Sequence, residues 1–171
     1  GTRPVDIGHK AMAANISDIA AMGGVPKYAL VSIGIPVRTG QRYIERIYRG
    51  MMTCADAFGA SIVGGDTVQA EHLVINVSLL GEVECTRLVL RSGARPGDRI
   101  FVTGPLGGSF RSGRHLRFTP RIRESRFLVE KFKPSAMIDI SDGLAGDLGP
   151  ILQQSGAGAG IDEARVPRNN G

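Results

Sequence analysis

Met137-Ile138-Asp139-Ile140-Ser141-Asp142-Gly143-Leu144-Ala145-Gly146-Asp147-Leu148 is the stretch on which the reading of this chain turns. Met137, Ile138 and Ile140 predict a short strand, and Ser141-Asp142-Gly143 predicts a turn. Leu144, Leu148, Ile151 and Leu152 follow at helical spacing. A strand, turn and helix in that order set Asp139, Ser141 and Asp142 at a strand's carboxyl end, where alpha/beta proteins place ligand chemistry. Oxygen donors on such a turn suit a hard cation such as magnesium. The same residues also suit a plain turn, with Asp142 capping the helix and Asp139 solvated. Two acidic motifs upstream weigh toward the cation.

The nearer one is Gly64-Gly65-Asp66-Thr67, at the end of a short strand from Ala60 and ahead of a strand over Leu73–Val83. Paired glycines fit a hairpin loop or a bulge. They also fit a backbone bare enough for a phosphate to approach while Asp66 holds a cation against it. The earlier one lies in the run from Val5 to Met22, which predicts a helix with Ile7, Ala11, Ala14, Ile19 and Met22 on its apolar side and Gly23-Gly24 at its end. Asp18 is the acid in its middle. An unpaired carboxylate is costly in a helix made for burial, so Asp18 either serves a site or points to solvent.

Between these motifs, Tyr28–Pro36 predicts a strand closed by proline. Thr39–Phe58 predicts an amphipathic helix with Tyr43, Ile44, Ile47, Met51, Cys54 and Phe58 on one side. Arg91-Ser92-Gly93-Ala94-Arg95-Pro96-Gly97-Asp98 has the composition of a domain boundary. Beyond it a strand over Arg99–Thr103, a glycine-rich loop at Gly104–Ser109 without the lysine of a P-loop, a helix around Ile122–Phe132, a helix ending near Ser155 and a last strand at Ile161-Asp162 are expected.

The chain's 171 residues are 42% hydrophobic and 22% charged, the composition of a soluble protein able to bury a core. No apolar run reaches the length of a membrane span, and Gly1-Thr2-Arg3-Pro4 lacks a signal peptide's apolar core, so a cytoplasmic location without a membrane partner is expected. Cys54 and Cys85 match no metal spacing and read as free thiols. His9 reads as a surface residue, and His72 is given no role. The net charge is +5, with Arg111, Arg114, Arg117, Arg121, Arg123 and Arg126 in one segment. That segment has few aromatic partners for bases, which favours a solvated surface over a nucleic-acid site.

Asn15–Gly24 (NISDIAAMGG), Gly64–Thr67 (GGDT), Arg91–Asp98 with the Val102-Thr103-Gly104 after it, and Met137–Leu148 together resemble, in order and spacing, the thiamine-monophosphate kinase family. That family belongs to the superfamily of aminoimidazole ribonucleotide synthetase and selenophosphate synthetase. The resemblance implies a two-domain α+β and α/β fold: an N-terminal sheet domain over residues 1–90 that dimerises, and a truncated C-terminal α/β domain over 91–171. It implies Asp18, Asp66, Asp139 and Asp142 as magnesium ligands, Gly65, Asp66, Arg91 and Ser141 as ATP contacts, and Asp139 and Asp142 at the catalytic centre. The partners it implies are ATP, thiamine monophosphate and a second copy of the chain. Substrate-contacting segments of the family fall outside this chain's ends. Four acids distant in sequence must then converge on one cation site. The alternatives are another ATP-dependent enzyme of the superfamily, of the hydrogenase-maturation dehydratase or aminoimidazole ribonucleotide synthetase type, or a non-catalytic phosphate- or nucleic-acid-binding module using the arginine segment.

Overall fold

The computed structural model describes residues 1–169. Its elements are α1 (Pro4–Ala21), β1 (Val25–Ile35), α2 (Gln41–Ala57), β2 (Ser61–Gln69), β3 (Val74–Glu82), α3 (Ile122–Lys131) and α4 (Leu144–Ser155), with single 3-10 turns at Arg114–Leu116 and Glu163–Arg165. Pro4 opens α1, where its missing N–H costs nothing. Past the end of α1, Gly23 takes φ +77°. The N–H groups of Gly23 and Gly24 close back on the carbonyls of Ala20 (2.9 Å) and Ile19 (3.0 Å), and Gly59 and Ala60 repeat this arrangement after α2.

The three strands run in the order β2-β1-β3, with β1 parallel to β2 and antiparallel to β3. Alternation along β1 sends Ala29, Val31 and Ile33 inward, all at most 1% exposed, and Ala29 and Val31 share one core with Met12 and Ile16 of α1 and Ile47 and Met51 of α2. The two helices approach very closely. A Cβ on Gly8 would sit 1.9 Å from the Ile47 carbonyl oxygen, and one on Gly50 would sit 2.0 Å from that of Val5. The other face of the sheet is open. Tyr28 and Leu30 stand about half exposed there, with Leu80 of β3 paired to Tyr28, and Val74 of β3 and Val68 of β2 flanking Gly34 further along the same face.

Several expectations need correcting. The buried stripe of α1 is Gly8, Met12, Ala13, Ile16 and Ala20, while Ala14 and Met22 are exposed. Small residues on both sides of that helix blurred its periodicity. Gly64–Thr67 is neither a loop nor a strand end but the middle of β2, paired with Leu30–Ile33. Pairing steps from Ala29↔Ile62 to Leu30↔Gly64, which leaves Val63 as the extra residue of a bulge. His9 is partly buried and its Nε2 lies 2.8 Å from the Phe118 carbonyl oxygen.

In the C-terminal half the helices form as predicted, but the strands expected at 99–103, 137–140 and 161–162 do not. A strand exists only beside a partner. Among the described residues the sole pairing beyond β3 is a single bridge between Leu106 and Arg168. The α3 helix is fastened to the N-terminal layer instead. Ser125 Oγ donates to the Ala20 carbonyl. Arg126 donates to the Gly23 carbonyl and, in a fork, to both carboxylate oxygens of Glu84, each at 2.7 Å. No helix among the described residues is long and apolar enough to cross a membrane.

Candidate functional site

Three chain segments meet beside the end of α1. The Val89 N–H donates to the Met22 carbonyl at 3.3 Å, and the Met137 N–H donates to the Leu90 carbonyl at 3.2 Å. Residues 89–91 therefore run between the end of α1 and the extended segment 136–140. From α4, Ser155 Oγ accepts from the N–H groups of Gly93 and Ala94, both at 3.1 Å, and donates to the Arg91 carbonyl at 3.2 Å. Asp98 holds the same loop by accepting from the Arg95 N–H (2.9 Å) and the Ser135 hydroxyl, and these hydrogen bonds, Ser135 first, keep its carboxyl below the usual range.

This framework brings Asp18, Asp139 and Arg91 into one electrostatic neighbourhood. The Asp18 carboxyl is pushed above its ordinary value, first by protein atoms displacing water around it and next by the negative charge of Asp139, while Arg91 draws it down. The side chain of Asp18 is still exposed, so the group opens to solvent. Two neighbouring carboxylates with a guanidinium have the chemistry to take a cation and the anion it accompanies. Magnesium is commonly held by one or two carboxylates, with water and phosphate oxygens completing its shell, so Asp18 and Asp139 fit that ion.

Asp66 lies apart from them. Among the described residues no group of three or more His, Cys, Asp or Glu side chains is assembled to hold a metal, so the expected four-acid convergence within the chain is not formed. Asp66 pairs with Ser32 in register, and Ser32 with Asn76, which puts all three on the open face of the sheet, away from α1. The pleat fixes this, since only a one-residue slip of register would turn Asp66 inward. Its Oδ1 accepts from the N–H of Thr67 at 2.8 Å. Gly65 also has a structural explanation. At φ +149° a Cβ there would lie 1.8 Å from the Val31 carbonyl oxygen, so the bare backbone is demanded by β1 rather than by a phosphate.

The turn at Ser141-Asp142-Gly143 forms where predicted, with Ser141 and Asp142 exposed. The residue that caps it is Asp147, not Asp142. Asp147 Oδ2 accepts from the N–H groups of Ser141 (2.8 Å), Asp142 (2.9 Å) and Gly143 (3.0 Å). An acidic residue in a helix's first turn is the available signal, and the acids ahead of the helix overshadow it. Ser155 and the Arg126–Glu84 fork were also missed, since neither sits in a motif.

Comparison with known proteins adds identity to this geometry. Residues 2–83 match the family model described as AIR synthase related protein, N-terminal domain. The chain is 40% identical to the thiamine-monophosphate kinase of Bacillus subtilis (strain 168) over 96% of its own length and 57% of that protein's. It is 41% identical to that of Rhodopirellula baltica over 95% of its length and 51% of the relative's. Among solved structures, AaThiL complexed with AMPPCP and TMP superposes with a TM-score of 0.85 at 36% identity, covering 91% of this chain and 55% of that one. The chain thus spans about half the length of the curated relatives it matches.

Proposed function

We propose that this chain, whose residues 2–83 match the family model described as AIR synthase related protein, N-terminal domain, serves the ATP-dependent phosphorylation of thiamine monophosphate to thiamine diphosphate. The names of the aligned relatives support the substrate, and the AMPPCP and TMP held by AaThiL support a nucleotide and a small phosphate ester in one site. The reading is supported by the electrostatic influence of Asp139 and Arg91 on the exposed Asp18 carboxylate, beside the 91–94 loop that Ser155 ties to α4.

The chemistry asks little of a general base. The acceptor is itself a phosphate, largely dianionic at neutral pH because its second ionisation lies near 6. The obstacle is bringing two polyanions together, so the task is positioning and charge neutralisation. Arg91 supplies a forked, permanent positive charge suited to phosphate oxygens. Asp18 and Asp139 would hold magnesium, which, when bound, neutralises the phosphate charge that otherwise keeps the reactants apart. Ser155 and Asp98 hold the loop that carries Arg91. In this reading residues 1–90 form an ATP- and metal-binding unit and 91–171 the partner unit across the nucleotide, in the cytoplasm, where two free cysteines are at home.

The open sheet face belongs to the same proposal. Tyr28, Leu30, Val68, Val74 and Leu80 form an apolar surface crossed by the polar row Asp66, Ser32 and Asn76. A second copy seated there makes a homodimer and puts Asp66 at the interface, which would explain why that acid lies away from Asp18. The test is direct: thiamine diphosphate formation from thiamine monophosphate and ATP, followed with increasing magnesium. Asp139→Asn is expected to lower the rate about 100-fold. An unchanged rate would remove the reading.

A further inference from the structure

Backbone N–H groups that converge ahead of a helix form a seat for anions. At the start of α4 that seat is already taken. One carboxylate oxygen, Asp147 Oδ2, accepts from Ser141, Asp142 and Gly143 at 2.8, 2.9 and 3.0 Å, and Asp147 is 8% exposed. Its own N–H donates to the Gly143 carbonyl at 3.0 Å, so side chain and main chain lock the same turn from two directions. A capping box reaches back to one N–H; Asp147, one residue deeper in the helix, reaches three.

We propose that Asp147 is a positioning residue that substitutes for a bound anion. It fills the place the turn would otherwise offer to a phosphate and holds the backbone so that the Asp142 carboxylate faces outward. The turn is thereby committed to receiving a cation. A phosphate competing for the three N–H groups would have to displace a buried carboxylate and leave it without partners, which is strongly unfavourable. The exposed carboxylate of Asp142 adds like-charge repulsion against any phosphate arriving without a cation. The inference deepens the proposed phosphoryl-transfer site and rests on that reading only for the identity of the cation.

The test follows the backbone amide signals of residues 141–143 in the isotope-labelled full chain, titrated with sulfate alone and then with magnesium alone. In the wild type, sulfate is expected to leave the three amides unmoved while magnesium shifts them. In Asp147→Ala, sulfate should shift them saturably, and the apparent magnesium affinity should fall about tenfold. Asp147→Asn keeps an acceptor oxygen without the charge and should exclude sulfate better than alanine does. A purely structural role would lower Tm in both variants without opening the turn to sulfate. Wild-type amides that respond saturably to sulfate, a wild-type turn indifferent to magnesium, or a folded alanine variant that ignores sulfate would each overturn the proposal. If the alanine variant does not fold, the wild-type and asparagine titrations decide. A chain that behaves as expected here but forms no thiamine diphosphate would leave this inference standing and dismiss the function.

Discussion

At the level of single residues, the chain shows how the same amino acid can be demanded by different forces. Gly65 reads in the sequence as a place for phosphate to approach, yet the carbonyl of Val31 already occupies the space a side chain would need. Gly65→Ala is therefore expected to destabilise the fold by roughly 2–4 kcal/mol, measured by denaturant titration, whether or not nucleotide is present. Stabilisation by nucleotide that disappears in a variant of otherwise normal stability would point to a ligand role instead. Cys54 is similar. It reads as a core thiol and is one, with burial pushing its pKa up to about 11. For Asp147 the sequence offers its place in a helix's first turn, but not the three backbone N–H groups it gathers, because no residue type announces them.

Among the elements, the fork between Arg126 and Glu84 decides how the C-terminal half is held. Hydrogen bonding from Arg126, with smaller contributions from the backbone and from the charges of Arg126 and Arg87, holds the Glu84 carboxyl down at about 2 from an ordinary 4.5. A depressed carboxylate stabilises the fold fully above its unfolded pKa and loses that contribution as pH falls through the folded one. Arg126→Gln should lower Tm by a few degrees at neutral pH, and the difference from wild type should shrink between about pH 4.5 and pH 2. A difference that persists unchanged at pH 2 would contradict this assignment. The helices were legible because their apolar spacing and terminal glycines act locally. The strands of the C-terminal half were misread because Arg99–Thr103 and Met137–Ile140 have strand composition but, among the described residues, no neighbouring strand to pair with. The acidic motifs were legible as chemistry, but not as places. Only register could tell that Asp66 faces away from the helices.

For the whole molecule, the exposed apolar face makes association the first property to measure. Leu30→Glu and Leu80→Lys each put a charge on that face. Each should weaken self-association at least tenfold, on the order of the free energy of burying one leucine, as read by sedimentation. Far-ultraviolet dichroism should stay unchanged, and a wild type that sediments as a monomer at every concentration would dismiss the interface. The strand order carries one more consequence, for synthesis on the ribosome. β1 lies between β2 and β3, both of which follow it in the chain. The nascent polypeptide therefore exposes its central strand well before either flank exists, and the sheet closes only once Glu82 has left the exit tunnel. Such late, distant pairing slows folding and makes the emerging half of this protein a natural client for a chaperone.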